Sequence, residues 1–350
     1  MIDLSKDKLP NITNGNTPKN YELCQEGDIA FADASEDTNE VAKAVEFYKL
    51  NGKAVICGLH TIHGRDNHQK TVVGYKGYAF SSMAFHHQIR RIAQGTKIYS
   101  INSKNFSECY IGIPSKEEQK KIATLLRLID ERIVTQNKII EDLKKLKSAI
   151  IENVFDDKHS ERLQLDNVGS YIRGLTYSSN DVVEHGGTLV MRSNNIVNGS
   201  LLDYNNNVVF VNKQMSAEQQ LQNGDIVICM ANGSSSLVGK SSFYDGNWHS
   251  PITVGAFCGI YRSKEPIVKW LFQTNKYRRY IWNSLQGGNG AIANLNGEDI
   301  LNMSFSIPNA PIKDTCVKML TSVDSALENN ISLCALYTLQ KQYLLRQMFI

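Results

Sequence analysis

The chain has 350 residues, 42% of them hydrophobic and 21% charged, and a formal net charge of +3. This composition excludes a disordered or low-complexity protein, and no apolar run approaches the ~20 residues of a membrane span. The length exceeds what one hydrophobic core usually supports, so two domains are expected, and the nearly balanced charge does not by itself announce a nucleic-acid binder.

In chain order, Met1 to Pro10 is polar and of mixed charge, which predicts no secretory signal and a cytoplasmic protein. The seven cysteines lack CxxC spacing, which fits reduced thiols without disulfides. Residues 20–112 predict strands at Asp28 to Ala32, Ala54 to Cys57 and His87 to Ile92. Between them Cys57, His60, His63 and His68 form a spaced set, but closed zinc sites have tighter paired spacing and no second pair follows, so no metal site is expected. His60, His63, Arg65, His68 and Lys70 read instead as one polar loop suited to contacting a groove.

From Lys116 to about Asn153 there is no proline or glycine, acidic residues occupy the first turn, and apolar residues recur at three and four, which predicts one long helix. Its seam runs Leu126, Ile129, Ile133, Gln136, Ile140, Leu143, Lys147. At roughly 1.5 Å per residue such a helix is about 57 Å long and needs a partner.

Residues 160–306 alternate short β-rich runs with turns: Thr188 to Arg192, Asn207 to Val211, Asp225 to Met230 and Ala256 to Tyr261, with a helical stretch from Ile267 to Leu285. Gly233 to Ser241 invites comparison with a phosphate loop, but five residues separate its glycines where that motif has four, so a turn between strands is the better reading. The sequence contains no GxSxG, no HExxH, no convincing magnesium-binding carboxylate cluster and no glycine-rich cofactor motif between a strand and a helix, and no cofactor is expected. What this region offers is donor-rich loops: Arg173, Arg192 with Asn194 and Asn195, Asn232, Ser234, Lys240 and Asn289. Arginine grips guanine edges, asparagine grips adenine, and serine and lysine serve phosphates.

The end of the chain repeats the middle. Ile113-Pro114 to Phe155 aligns with Ile307-Pro308 to Phe349 at a constant offset of 194, and Gly27-Asp28-Ile29 aligns with Gly224-Asp225-Ile226 at 197. The first seam maps onto Leu320, Val323, Leu327, Asn330, Cys334, Tyr337 and Lys341, with an amide in the fourth slot and a lysine in the seventh of both. Two helices with one seam in one chain predict an antiparallel pair about an approximate two-fold axis, in which Gln136 faces Asn330 as a polar layer. The alternative is that each helix packs on its own domain. Lys147 and Lys341 are expected at the seam edge, snorkelling outward. Upstream of Gly-Asp-Ile the first copy is shorter than the second, so the first domain reads as N-terminally shortened.

The expected architecture is α+β, with two mixed α/β domains joined by two long antiparallel coiled-coil helices. The boundaries are 1–113 for the first domain, 114–157 for its helix, 158–306 for the second domain and 307–350 for the second helix. The helical run IPSKEEQKKIATLLRLIDERIVTQNKIIEDLKKLKSAIIENVF resembles the helical region of type I restriction-modification specificity subunits. LQLDNVGSYIRGLTYSS, MRSNNIVNGS and LQNGDIVICMANGSSSLVGKSS follow in the order of that family, and GDIAFADASED and GLHTIHGR resemble another of its target-recognition domain types. The resemblance implies a non-catalytic subunit whose two target-recognition domains each read half of a split double-stranded DNA sequence. It also implies helices that set the gap and dock two methylation subunits, which bind S-adenosylmethionine, with ATP- and magnesium-dependent restriction subunits added in the holoenzyme. The rivals are a coiled-coil scaffold that binds only proteins and a nucleotide hydrolase using Gly239 and Lys240.

Overall fold

A computed structural model describes residues 1–12, 21–155, 161–285 and 293–349. The chain divides into two compact units, residues 1–140 with 329–350 and residues 141–328, so that the division falls inside both long helices.

The first unit holds a four-stranded sheet of β1 (Ile2–Asp3), β2 (Ile29–Ala32), β3 (Ala44–Lys49) and β4 (Thr61–Gly64) in the order β1-β3-β2-β4. β1 is parallel to β3 and the other pairings are antiparallel. Ile29 and Phe31 project to one side of β2 and pack on Phe85 and Ile89, as the period of two requires. Phe85 and Ile89 lie on α1 (Met83–Ile92), where a strand was expected over His87 to Ile92. The reason is local: the Ser82 side chain caps the helix by accepting from the Phe85 amide, and Phe85 and Ile89, four apart, make one buried stripe. The strand expected at Ala54 to Cys57 is reduced to a single bridge between Leu23 and Ile56.

α2 (Lys116–Val154) begins in the first unit and ends in the second. The second unit contains two four-stranded sheets. One comprises β5 (Gly169–Arg173), β9 (Ile226–Cys229), β10 (Ser241–Phe243) and β12 (Cys258–Ser263), ordered β10-β9-β12-β5 and antiparallel throughout. The other comprises β6 (Val182–Val183), β7 (Thr188–Met191), β8 (Val209–Val211) and β11 (Ile252–Val254), ordered β11-β7-β8-β6 with β11 parallel to β7. Ile226 and Ile228 face a core of Trp270, Tyr261, Phe272 and Phe305. Val227 and Cys229 face the opposite core, with Leu189, Met191 and Ile260. The helical stretch expected from Ile267 to Leu285 is broken: one turn at Val268–Leu271 is followed by α3 (Asn275–Leu285), and the buried Thr274 hydroxyl between them accepts from the Tyr277 amide.

The repeat is structural. In the first unit Ile29 pairs with Gly64 and Ala30 with His63. In the second Ile226 pairs with Tyr261 and Val227 with Ile260, every residue shifted by 197. α2 and α4 (Ala310–Met348) are both 39 residues long. Within each unit they run antiparallel, since Asp130 meets Lys341 and Gln136 meets Asn330 in the first and Lys147 meets Asp324 in the second. The polar layer expected from the sequence is present, with Gln136 Nε2 donating to Asn330 Oδ1. Leu126 and Leu320, the first seam residues of the two helices, are both completely buried, and Ile129, Ile140 and Leu327 are buried as well. Ile133, Leu143, Val323, Cys334 and Tyr337 are half-buried.

Candidate nucleic-acid interface

Strand direction in the second unit gathers the polar loops at one end. β5 ends at Arg173, β9 runs out into the short strand Ala231–Asn232 and the turn after it, and β10 and β12 begin from Lys240 and Phe257. Because these strands alternate in direction, all four of those positions fall on the same edge of the sheet. The parallel strands β7 and β11 add Arg192 and Gly255 beside them, joined by the Gly255 amide donating to Met191 O and the Gly174 amide to Cys258 O. An open cavity of about 380 Å³ is lined here by Tyr177, Arg192, Ser193, Asn194 and the 255–258 turn.

Arg192 donates through Nη2 to Asn207 O at 2.9 Å, while its Nε is buried without a partner among the described residues. Asn194 is exposed, Asn232 Nδ2 reaches Ser193 Oγ, and Ser234 is exposed with its hydroxyl against Ser236. Lys240 is half-buried and precedes β10. The Gly233 to Ser241 segment is the strand-turn-strand expected of it, with a 3-10 turn at Ser235–Leu237 and Gly239 at φ +80° facing Ile281. A helix N-terminus aimed at phosphates does not occur there. Phe257, which sequence reasoning passed over, stands 65% exposed in the middle of this surface. A lone phenylalanine in a turn gives no signal in a sequence; its exposure is visible only when the strands are in place.

Asn195 has to be removed from the set. It is completely buried, its Oδ1 accepts from the Arg192 amide at 3.0 Å and its Nδ2 donates to Asp203 O and Asn206 O, so it fixes the loop and has no edge left for a ligand. Asn289 lies outside the described residues.

In the first unit the supposed single loop is split by β4. His60 precedes the strand, 91% exposed in its side chain and near Asp33, at the edge equivalent to the second unit's loops. Arg65 follows the strand at the opposite edge, where Nε and Nη2 clasp Asp28, Nη2 also donates to Leu23 O, and Nη1 pairs with Glu22. His63 Nε2 lies 2.9 Å from Asp28 Oδ2. Both side chains are therefore committed inside the unit, and His63 and Arg65 are not free donors. Lys70 is exposed near the start of α2, its carbonyl accepting from Gln119.

The Arg65 clasp has a counterpart that sequence reading missed. Arg262 holds Asp225 through Nε at 2.8 Å and Nη2 at 2.7 Å and donates to Gln220 O, each partner shifted by 197 from the first unit. Gln25 and Gln222 amides bond the same two carboxylates. The motif is thus Gly-Asp-Ile with a distant arginine. Burial pushes the Asp28 carboxyl up, but the Arg65 hydrogen bonds and the Gln25 amide outweigh it and hold it below the ordinary range.

Lys147 and Lys341 do not snorkel. Lys147, only 8% exposed in its side chain, reaches Asp324 at 2.7 Å and Gly199 O at 3.0 Å. Lys341 reaches Asp130 at 2.6 Å. The partners are again 194 apart, and each aspartate also accepts from an aromatic donor, Trp270 Nε1 on Asp324 and the Tyr78 hydroxyl on Asp130. The buried Lys147 ammonium needs a counter-charge, and for it and for the partly exposed Lys341 the facing helix supplies one. Burial raises the Asp324 carboxyl, but Lys147 and Lys269 prevail and keep it below the usual carboxylate range.

A duplicated unit of sheet and long helix, with donor-bearing loops at one sheet edge, defines a tandem α/β protein built on a helix pair. Residues 8–145 match the type I restriction modification DNA specificity domain. The EcoKI specificity subunit of Escherichia coli K12 is 35% identical over 155 residues, and the StySPI specificity subunit of Salmonella potsdam 34% over 153. Each match covers 41% of this chain and 31% of the relative, so the chain matches about a third of the length of these curated relatives. In fold the chain is similar to the type I S subunit from M. genitalium, with a TM-score of 0.60 at 15% identity, covering 97% of this chain and 87% of that one. A chain from a study of complex assembly in the type I R-M system gives 0.53 at 14% identity over 94% and 83%. The chain is therefore similar to type I restriction-modification specificity subunits over part of its sequence, and its fold is similar to that of a solved type I S subunit. Among the described residues no helix is long and apolar enough to cross a membrane.

Proposed function

We propose that this chain is the DNA-specificity subunit of a type I restriction-modification enzyme, acting in the cytoplasm, non-catalytic by itself, and reading a bipartite double-stranded target. The globular parts are its two target-recognition domains. Partners supply the chemistry: two methylation subunits bring S-adenosylmethionine, and restriction subunits bring ATP and magnesium.

The observation that carries this reading is the convergence of Arg173, Arg192, Asn194, Asn232, Ser234 and Lys240 on one sheet edge around an exposed Phe257. Arginine and asparagine read base edges bidentately, and serine and lysine meet phosphates. The aromatic ring offers an apolar contact for a thymine methyl. His60 and Lys70 are the first unit's accessible contributions. The helix pair, about 57 Å long at 1.5 Å per residue, sets the gap between half-sites.

Methylome sequencing of cells expressing the subunit with its methylation partners tests the proposal. Exchanging residues 160–306 for another recognition domain changes half of the methylated sequence and leaves the gap alone, whereas adding a heptad between residues 130 and 150 changes the gap. If neither change alters the methylated sequence, the reading fails. ATP turnover by the isolated chain, abolished by Lys240→Ala, would favour a nucleotide hydrolase instead; absence of sequence-selective DNA retention with methylation subunits present would favour a protein-only scaffold.

A further inference from the structure

Between β2, β4 and the segment before β2, the first unit brings two thiols and an imidazole together. Cys24 is buried, Cys57 half-buried, and their sulfurs are 3.7 Å apart. One ring nitrogen of His63 joins them, so that the three ligand atoms lie within 4.8 Å of one another. The backbone holds the arrangement: the Cys24 amide donates to Val55 O, Leu23 bridges Ile56, and His63 sits in β4 opposite Ala30, whose small side chain leaves room for the ring.

The repeat shows what these positions do elsewhere. Shifted by 197, Cys24 falls on Leu221, Cys57 on Val254 and His63 on Ile260, with the backbone bond from Cys24 to Val55 reproduced from Leu221 to Ile252. In the second unit all three residues are buried in one apolar core, packed with Leu189 and Met191 of the additional sheet. Among the described residues the first unit has no counterpart of that sheet. Cysteine alone at these places would be an ordinary small hydrophobe. A histidine is not, and three aliphatic positions replaced together by the ligand types zinc prefers is not what packing drift produces.

We infer that Cys24, Cys57 and His63 form a binding site for a divalent zinc-type cation at the margin of the apolar cluster of Leu4, Phe47, Leu50 and Val55, where the second unit has three aliphatic side chains. The geometry suits the ion. Zinc–sulfur bonds of about 2.3 Å at tetrahedral angles place two thiolates about 3.8 Å apart, whereas a disulfide brings sulfurs to about 2.05 Å. Whichever ring nitrogen takes the metal, the other keeps a carboxylate that fixes the ring: Asp28 lies 2.9 Å from Nε2 and Glu22 3.5 Å from Nδ1. Water or the carboxylate on the metal side completes the fourth position. Arg65 is neutralised by Asp28 and Glu22 and does not oppose the cation.

Spectroscopic titration of the full chain tests this. The reduced protein is stripped with EDTA, freed of chelator and titrated with CoCl2, then with ZnCl2. Expected are one cobalt per chain, near-ultraviolet thiolate-to-cobalt absorption with visible d–d bands, displacement by zinc, and a zinc-dependent rise in melting temperature. Cys57→Val, which installs the residue of the second copy and keeps the packing, removes the charge-transfer band, as does Cys24→Ser, while Cys109→Ser retains it. His63→Ala weakens cobalt binding by at least tenfold. Failure of the reduced wild-type chain to develop the bands, or their survival in Cys57→Val, overturns the inference. So does a chain two hydrogens lighter in mass without metal under reducing conditions, which would make the pair a disulfide.

Discussion

The two units fasten the same helices with the same pair of residues in different surroundings. In the second unit the Lys147–Asp324 pair is about nine-tenths buried and carries two further partners, Lys269 at 2.8 Å and Trp270 Nε1 at 3.1 Å. In the first, Lys341 and Asp130 are 29% and 33% exposed, and Tyr78 is the extra partner. The Asp-Arg clasps of the two domains are nearly identical in burial, with Asp28 and Asp225 both buried and Arg65 and Arg262 about a fifth exposed. Duplication thus preserves the connections, while the local packing decides what each is worth.

That contrast is broken first by truncating the helix-pair aspartates. Asp324→Ala leaves Lys147 buried beside Lys269 without a counter-charge and is expected to cost about 3–5 kcal/mol. Asp130→Ala, in a pair about a third exposed and therefore screened, is expected to cost about 1–2 kcal/mol, most of it the Tyr78 hydroxyl losing its acceptor. Urea unfolding of both variants measures this; equal losses would show that burial does not govern the pair. The sign with pH follows from the depressed Asp324 carboxyl. A group whose folded pKa lies below its unfolded value of about 3.9 contributes stability that is full well above that value and is lost as pH falls through it toward the folded one. The difference between wild type and Asp324→Asn therefore shrinks between about pH 5 and pH 3 and is constant from pH 6 to 8.

The clasps should behave alike. Arg65→Ala and Arg262→Ala each strip a bidentate partner from an enclosed carboxylate and are expected to cost about 2–3 kcal/mol apiece. A clear inequality would mean that the second unit's extra sheet stabilises its clasp from outside. The Gln136–Asn330 layer is smaller still. Asn330→Leu alone orphans a buried amide and costs about 1 kcal/mol, and Gln136→Leu added to it recovers most of that. Recovery in the double variant, read as a thermodynamic cycle, isolates the pairing from the packing.

Periodicity carried much of this into the sequence. The common offset of the helices, the seam and the facing amides all depend on spacing alone, and spacing is visible. The aspartates that bind Lys147 and Lys341 lie on the facing helix, so a lysine at a seam read alone looks like one that reaches for water. Local chemistry misled in the other direction at His87 to Ile92, where β-prone residues masked a helix set by the Ser82 cap. Arg65, His63 and Asn195 were read as donors because their types are donors. That their hydrogen bonds are already made is a property of the fold, although the match of Arg65 to Arg262 under the same 197 offset was available as a sign of a structural role.

The loop edge of the second unit completes the comparison from the side of function, because its residues are expected to matter least to folding. Among the described residues Arg192 donates to Asn207 O and its buried Nε has no partner, and Asn194 is exposed. Arg192→Ala should cost under about 1 kcal/mol in stability, as surface substitutions do. If Arg192 reads a guanine edge, the same change costs about 1–3 kcal/mol of discrimination at one base pair, and methylome sequencing shows that position relaxed while the other half-site is unchanged. If it meets a phosphate, retention on DNA weakens uniformly and the dependence of binding on salt becomes shallower by about one ion. Lys240→Ala, at the same edge but preceding a strand, is expected to give the second pattern. Should Arg192→Ala leave both sequence and salt dependence untouched, the interface lies at another face of the unit, and the opposite sheet edge, with Lys264 beyond β12, becomes the place to look.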